Sequence, residues 1–225
     1  GPTINTVTNE YNPSLSPDGL VLYFSSDRPG GYGEYDLWVS VRASEDKDWG
    51  EAINLGPSVN SQRSEISPSI SRDGLQLFFS DLEGYIPRTG GIGDSDLWLV
   101  SRPATSAAWG KPVNLGPVVN SAQTDVNPIL SHDGLMLFFS SDRGGGQGWN
   151  DIWVSSRPTT DAEWGVPKNL GPAVNCKHDD NYLCMSTDKT MLYLCSTRYG
   201  GKGGGDIWQI LVVSATGFLE FFGDD

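Results

Sequence analysis

The chain has 225 residues, with 15 Lys and Arg against 28 Asp and Glu, for a formal net charge of −13. A surface of that sign repels a nucleic-acid backbone and an anionic bilayer alike, so neither is expected as a partner. The longest apolar runs, such as QILVV at 209–213, fall far short of the roughly 20 residues needed to span a bilayer as a helix, and insertion into a membrane is not expected.

In chain order, the first strand signal is PSLS (13–16), followed by the turn SPDG, the run LVLYFSS (20–26), a glycine loop, the run DLWVSVR (36–42), a Trp-Gly pair and AINLG (52–56). The same series returns three times. The glycine loop and its following strand read SSDRPGGYGEYDLW to Trp38, SDLEGYIPRTGGIGDSDLW to Trp98, SSDRGGGQGWNDIW to Trp153 and CSTRYGGKGGGDIW to Trp208. The tryptophans, and the turn residues Asp18, Asp73, Asp133 and Asp188, recur at spacings of 55 or 60 residues. Self-similarity at that period marks a propeller or a solenoid. Strand runs of four to seven residues, polar or Gly/Pro-rich turns and the absence of any helical period make each unit four short strands. The expected fold is all-β: one four-bladed β-propeller domain over 1–225, four antiparallel strands per blade, with blades at roughly 12–56, 67–116, 127–171 and 182–222 and inner strands near Pro13–Ser16, Pro68–Ser71, Pro128–Ser131 and Leu183–Ser186. A monomer is expected, with half of an eight-bladed dimer as the alternative.

The fourth unit departs from the pattern. Lys189 replaces the turn glycine, Leu183 the strand proline, and no WG…NLG segment follows Trp208, which leaves GFLEFF (217–222) as the candidate outer strand. At the other end, GPTIN (1–5) matches GPSVN, GPVVN and GPAVN. It reads either as the end of a crossover between blades or as a Gly-Pro terminus unrelated to the repeat.

The S-x-DG turn at Ser16, Asp18 and Gly19 with its copies, the Y/F-F-S-S-D-R run, the GG-x-G loop and the D-L/I-W-V strand resemble the WD40-like repeats of the TolB type, found in bacterial envelope proteins. The resemblance covers nearly the whole chain. It implies a propeller, an interaction role and an extracytoplasmic location in the periplasm, the envelope or the medium, and it implies no single activity.

Columns filled alike in every unit point to architecture. Ser16, Ser71, Ser131 and Ser186 fit a crowded inner strand, and Asp36, Asp96, Asp151 and Asp206 are placed to accept hydrogen bonds from the glycine-loop backbone. Crossovers and glycine loops share one face of a propeller, here called the top. Tyr11, Tyr32, Tyr35, Tyr85, Tyr182, Tyr199 and Trp149 all map to it or beside it, and flat amphipathic rings gathered on one face suit peptide or saccharide recognition. Trp149 has no counterpart, since its column holds Glu34, Asp94 and Gly204. Glu10, Glu65, Asp125 and Asp180 enter the four inner strands, and four like charges near an axis need compensation. Arg28, Arg143 and Arg198, with Arg88 standing in for them in the second unit, are the expected clamp and belong to the candidate ligand-binding set; Ca²⁺ or another divalent cation is the alternative, and no other cofactor is expected.

Catalysis has little support. His132 and His178 lie on opposite faces with no nucleophile motif nearby, and near-equivalent carboxylates lack the asymmetry that separates a catalytic acid from its partner. Cys176, Cys184 and Cys195 lack paired zinc-ligand spacing and read as replacements at small-residue positions. The expected function is therefore a non-catalytic module that recognises a protein or peptide through the top face; a carbohydrate-binding propeller or a small glycoside-processing enzyme is the alternative.

Overall fold

The computed structural model describes residues 1–82, 88–186, 188 and 190–211. It is a four-bladed β-propeller whose regular structure is almost entirely strand. The first blade holds β1 (Glu10–Leu15), β2 (Val21–Ser26), β3 (Asp36–Val41) and β4 (Ile53–Asn54). The second holds β5 (Glu65–Ile70), β6 (Gln76–Asp81), β7 (Leu97–Ser101) and β8 (Val113–Asn114), and the third β9 (Asp125–Leu130), β10 (Met136–Ser141), β11 (Asp151–Ser156) and β12 (Lys168–Asn169). Among the described residues the fourth has three strands, β13 (Asp180–Met185), β14 (Met191–Ser196) and β15 (Asp206–Leu211). The sole helix among them is a single turn, α1 (Gly116–Val119), in the second crossover. GFLEFF, expected as the last outer strand, lies outside the described residues.

Within each blade neighbouring strands are antiparallel, and the inner strand carries a bulge. The bulge centres on a residue with positive φ: Asn12, Ser67, Asn127 or Tyr182. Asparagine tolerates that conformation, whereas the ring of Tyr182 adopts it with strain. The inner strands begin at the carboxylates, three residues before the expected Pro13, Pro68 and Pro128, and stop one residue short of the serines. Those serines serve the turn rather than a crowded strand. Ser16 Oγ donates to Asp18 Oδ1 at 2.6 Å and accepts from the Val21 N–H at 2.8 Å, and the other units repeat both bonds. Ser14, Ile70, Leu130 and Met185, one from each inner strand, line a common central cavity of about 400 Å³.

The core lies between blades, because period-two alternation gives each strand one face toward the preceding blade and one toward the next. Tyr23, Leu37 and Val59 meet Leu77, Phe79 and Trp98 of the second blade. Phe78, Leu97 and Val119 meet Leu137, Phe139 and Trp153, and Phe138, Ile152 and Val174 meet Leu183, Leu192 and Leu194. The preceding-blade side of the first blade is covered by its own N-terminal segment, with Ile4 against Phe24 and Trp38. Among the described residues no blade covers the following-blade side of the fourth, and Ile207, in the column of buried Leu37, Leu97 and Ile152, is 83% exposed.

Candidate functional site: the top face

The top face is assembled from the D-L/I-W aspartates outward. Asp36 accepts from the Tyr32 N–H at 2.5 Å, the Gly33 N–H at 3.1 Å and the Asn54 side-chain amide at 2.8 Å. Asp96 and Asp151 make the same three contacts, and Asp206 gathers the N–H groups of Lys202 and Gly203. A carboxylate that collects loop donors in this way fixes the loop and is fully used by it.

Beneath the loops lie the four arginine–carboxylate pairs. Arg88 donates to Glu65 Oε1 at 2.8 Å and to the Val59 carbonyl at 2.7 Å, so Arg88 does stand in for the missing repeat arginine. Arg28 joins Glu10 at 3.1 Å and the Ile4 carbonyl at 2.6 Å. Arg143 joins Asp125 and the Val119 carbonyl, and Arg198 joins Asp180 at 2.6 Å and the Val174 carbonyl at 2.7 Å. Each guanidinium lies over the strand tryptophan of its own blade, as Arg88 does over Trp98 at 5.0 Å. The clamp ties a blade to the crossover that enters it. It leaves Arg28, Arg88, Arg143 and Arg198 mostly buried, so the clamp is a framework role for all four.

The clamps differ in electrostatics. Burial pushes the Glu65 carboxyl up to about 7, against the opposing pull of the Ser61 hydrogen bonds and of Arg88. Glu10 also feels burial, but the Thr6 hydroxyl and backbone bonds together with Arg28 outweigh it and hold the group below the usual carboxylate range. No cluster of three or more His, Cys, Asp or Glu among the described residues could hold a metal ion.

The exposed part of the top face is aromatic, in two groups. Around the first blade, Tyr11 packs on the half-buried Tyr35 with ring centroids 5.8 Å apart, and Tyr32 borders a cavity of about 670 Å³ shared with Arg63, Arg88 and Lys111. Where the third and fourth blades meet, Tyr199 is 79% exposed, with His178 edge-on at 4.6 Å and Lys177 Nζ 5.0 Å from its ring centre. Trp149, 77% exposed, follows Gly148, whose backbone lies against the carbonyls of Cys176 and His178. Sequence reasoning names Trp149 and Tyr199 and places His178 on the top face, but misses Lys177 and the meeting of both with Tyr199; the ring contact comes from a loop and a crossover that only the fold brings together. Tyr85 lies outside the described residues. All three cysteines are free, and Cys184 sits opposite Tyr193 rather than Cys195.

No family model matches the chain, and no curated protein matches it. Solved structures do. TolB from Acinetobacter baumannii superposes with a TM-score of 0.61 at 14% identity, over 94% of this chain and 45% of that one. A structure assigned to TolB from Agrobacterium tumefaciens gives 0.58 at 14% identity, over 91% and 65%. The α-L-arabinofuranosidase from Lactobacillus brevis gives 0.57 at 13% identity, over 93% and 73%. The chain thus spans less than two thirds of the length of either TolB structure. At these identities the likeness is one of fold, and in fold the chain is a TolB-like β-propeller.

Proposed function

We propose that this propeller is a non-catalytic binding module that recognises a protein or peptide partner through its top face, in an extracytoplasmic setting. The observation that carries the reading is Trp149. An indole set on a glycine-rich loop, without a repeat counterpart and largely open to water, is costly to a free surface and is the kind of side chain that anchors an interface. Tyr199, Lys177 and His178, also where the third and fourth blades meet, add rings and charge suited to peptide side chains. The carboxylates that a hydrolase would need are held by arginines and backbone donors under the loops, which favours binding over chemistry and an arginine clamp over a bound cation. The saccharide reading draws on the same exposed rings, since sugars also stack on flat aromatic faces.

The test is a pair of arrays, one of peptides and one of glycans, probed with the wild-type chain and with Trp149→Ala. Peptide hits that weaken at least about tenfold in the variant, with the melting temperature unchanged, are the expected result. Asp151→Ala should do the reverse, costing about 2 kcal/mol of stability. Carbohydrate hits with no peptide hits would move the reading to a saccharide-binding propeller. A Trp149→Ala melt as damaged as that of Trp153→Ala would make the indole structural.

A further inference from the structure

We propose that the top face at the junction of the third and fourth blades selects an acidic peptide segment, Lys177 taking an Asp or Glu carboxylate of the partner while Trp149 and Tyr199 receive the apolar groups beside it. This assignment rests on the top-face binding reading and adds the class of ligand.

The site is built on one crossover, which is held from both ends. An asparagine near the end of each crossover reaches back to the third strand of the blade just left. Asn175 accepts from the Ile152 N–H at 2.8 Å and donates to its carbonyl at 2.9 Å, as Asn60 does at Leu37 and Asn120 at Leu97. The Cys176 N–H then donates to Asp180 Oδ2 at 2.6 Å, and the Asp180 N–H donates to the Asn150 carbonyl at 2.8 Å. Lys177 and His178 stand on the short span between these anchors. Gly148 of the third blade lies flat against that span, so close that a Cβ on it would overlap the Cys176 and His178 carbonyls, and the next residue is Trp149. From the fourth blade comes Tyr199, braced edge-on by the His178 ring at 4.6 Å. Each blade thus brings one exposed ring to the same crossover.

These side chains do not belong to the repeat framework. In the other crossovers the position of Lys177 holds Val7, Gln62 and Ala122, and in the other loops that of Tyr199 holds Pro29, Thr89 and Gly144. The position of Trp149 holds Glu34 at the first junction and Asp94 at the second, so the loop that sets a carboxylate beside the crossover twice sets an indole there the third time. The crossover that loses the acid gains the lysine. Lys177 Nζ lies 5.0 Å from the centre of the Tyr199 ring, and no carboxylate among the described residues forms an ion pair with it. Asp179 and Asp180, next along the chain, are engaged by Asn150 and Arg198.

An ammonium resting on a ring is restricted in its rotamers and keeps donors for a ligand, which lowers the cost of ordering it. A carboxylate is the acceptor that binds such a donor most strongly. In a chain of net charge −13 this lysine is a local exception. The Debye length is about 8 Å at physiological salt, so distant carboxylates oppose the contact only weakly. The aromatic group of the first blade has the other sign, since the Tyr35 phenol is raised by burial and, after that, by the charges of Asp27 and Glu34. An acidic segment therefore fits the third junction and not the first.

NMR titration of the ¹⁵N-labelled chain, at physiological salt, with the capped pentapeptides Gly-Leu-Glu-Leu-Gly, Gly-Leu-Gln-Leu-Gly and Gly-Leu-Lys-Leu-Gly decides the matter. The glutamate peptide should shift the Trp149 indole N–H and the Lys177 amide, with a dissociation constant at least about fivefold below that of the other two. Lys177→Gln should erase that preference at an unchanged melting temperature, whereas Trp149→Ala should weaken the glutamate and glutamine peptides alike. Equal affinity for those two peptides, with the Trp149 signal still moving, would overturn the acidic preference and leave the binding reading intact. No movement at Trp149 with any of the three would overturn the proposal, while the peptide and glycan arrays decide the binding reading separately. Sodium glucuronate moving the Trp149 and Lys177 signals when the glutamate peptide does not would give the carboxylate to an acidic saccharide, and would overturn the proposal as well.

Discussion

The third strands of the third and fourth blades both open on Asp-Ile-Trp, yet the isoleucine of each has met an opposite fate. DIWVSS and DIWQIL place it in the same column, but Ile152 is completely buried under the fourth blade while Ile207 stands 83% exposed. Among the described residues, β14 and β15 hold their register from Met191↔Leu211 to Ser196↔Asp206 without a following blade against them. What the next blade adds is burial, and with it most of the stabilisation, since the apolar area removed from water lies between sheets rather than within them.

That contrast can be broken most sharply at the isoleucines themselves. Ile152→Asp should cost about 4 kcal/mol by placing an unpaired carboxylate in the closed junction, whereas Ile207→Asp should stay within about 0.5 kcal/mol, by chemical denaturation. Equal costs would mean that the exposed face is covered in solution. The glycines come next. Gly148→Ala pushes a methyl into backbone carbonyls and should cost about 2–3 kcal/mol, whereas Gly203→Ala meets nothing and should be neutral or slightly stabilising, as paired thermal melts would read.

Asn175→Ala strands two buried backbone groups of Ile152 and should cost about 2 kcal/mol, with faster amide exchange at Ile152; Asn5→Ala should leave the stability unchanged. A further effect is one of pH. Because burial raises the pKa of Glu65 in the folded chain to about 7, above its ordinary 4.5, the folded chain holds that proton more tightly than the unfolded one. Its contribution to stability is present below pH 4.5 and is lost as pH rises toward 7. The destabilisation by Glu65→Gln should accordingly shrink across that window and stay flat above it, followed by melts of both proteins at stepped pH.

Much of this was legible in the sequence because the chain repeats itself. The blade series, the loop aspartates and the substitution of Arg88 for the repeat arginine all follow from aligning units, and each is what the structure shows. The serines of the S-x-DG turn are ambiguous in sequence, because a column filled by a small hydroxyl residue suits crowding and turn capping alike, and only the bonds to Asp18 and its copies tell them apart. The inner strands begin earlier than expected because the positive-φ bulge at Asn12, Ser67 and Asn127 lets pairing resume beyond a residue that looks like a strand end. The asparagine column of NLGP-x-VN carries no signal within its own unit, since its meaning depends on a contact 23 residues away. The surroundings of Tyr199 are hidden for a similar reason, since Lys177 and His178 reach it from the crossover some 20 residues earlier in the chain.

The backward reach of Asn60, Asn120 and Asn175 bears on how such a chain can grow or shrink over evolutionary time. The side chain that fastens a sheet is encoded in the following unit, so the segment that can be copied or lost without damage is not the sheet but the stretch from one asparagine to the next. A duplication with those boundaries leaves every fastening intact and asks only for a change in curvature. A duplication cut at the strand ends orphans one fastening at each seam. Lineages that carry this repeat should therefore vary in whole asparagine-to-asparagine segments, with their breakpoints in the crossovers.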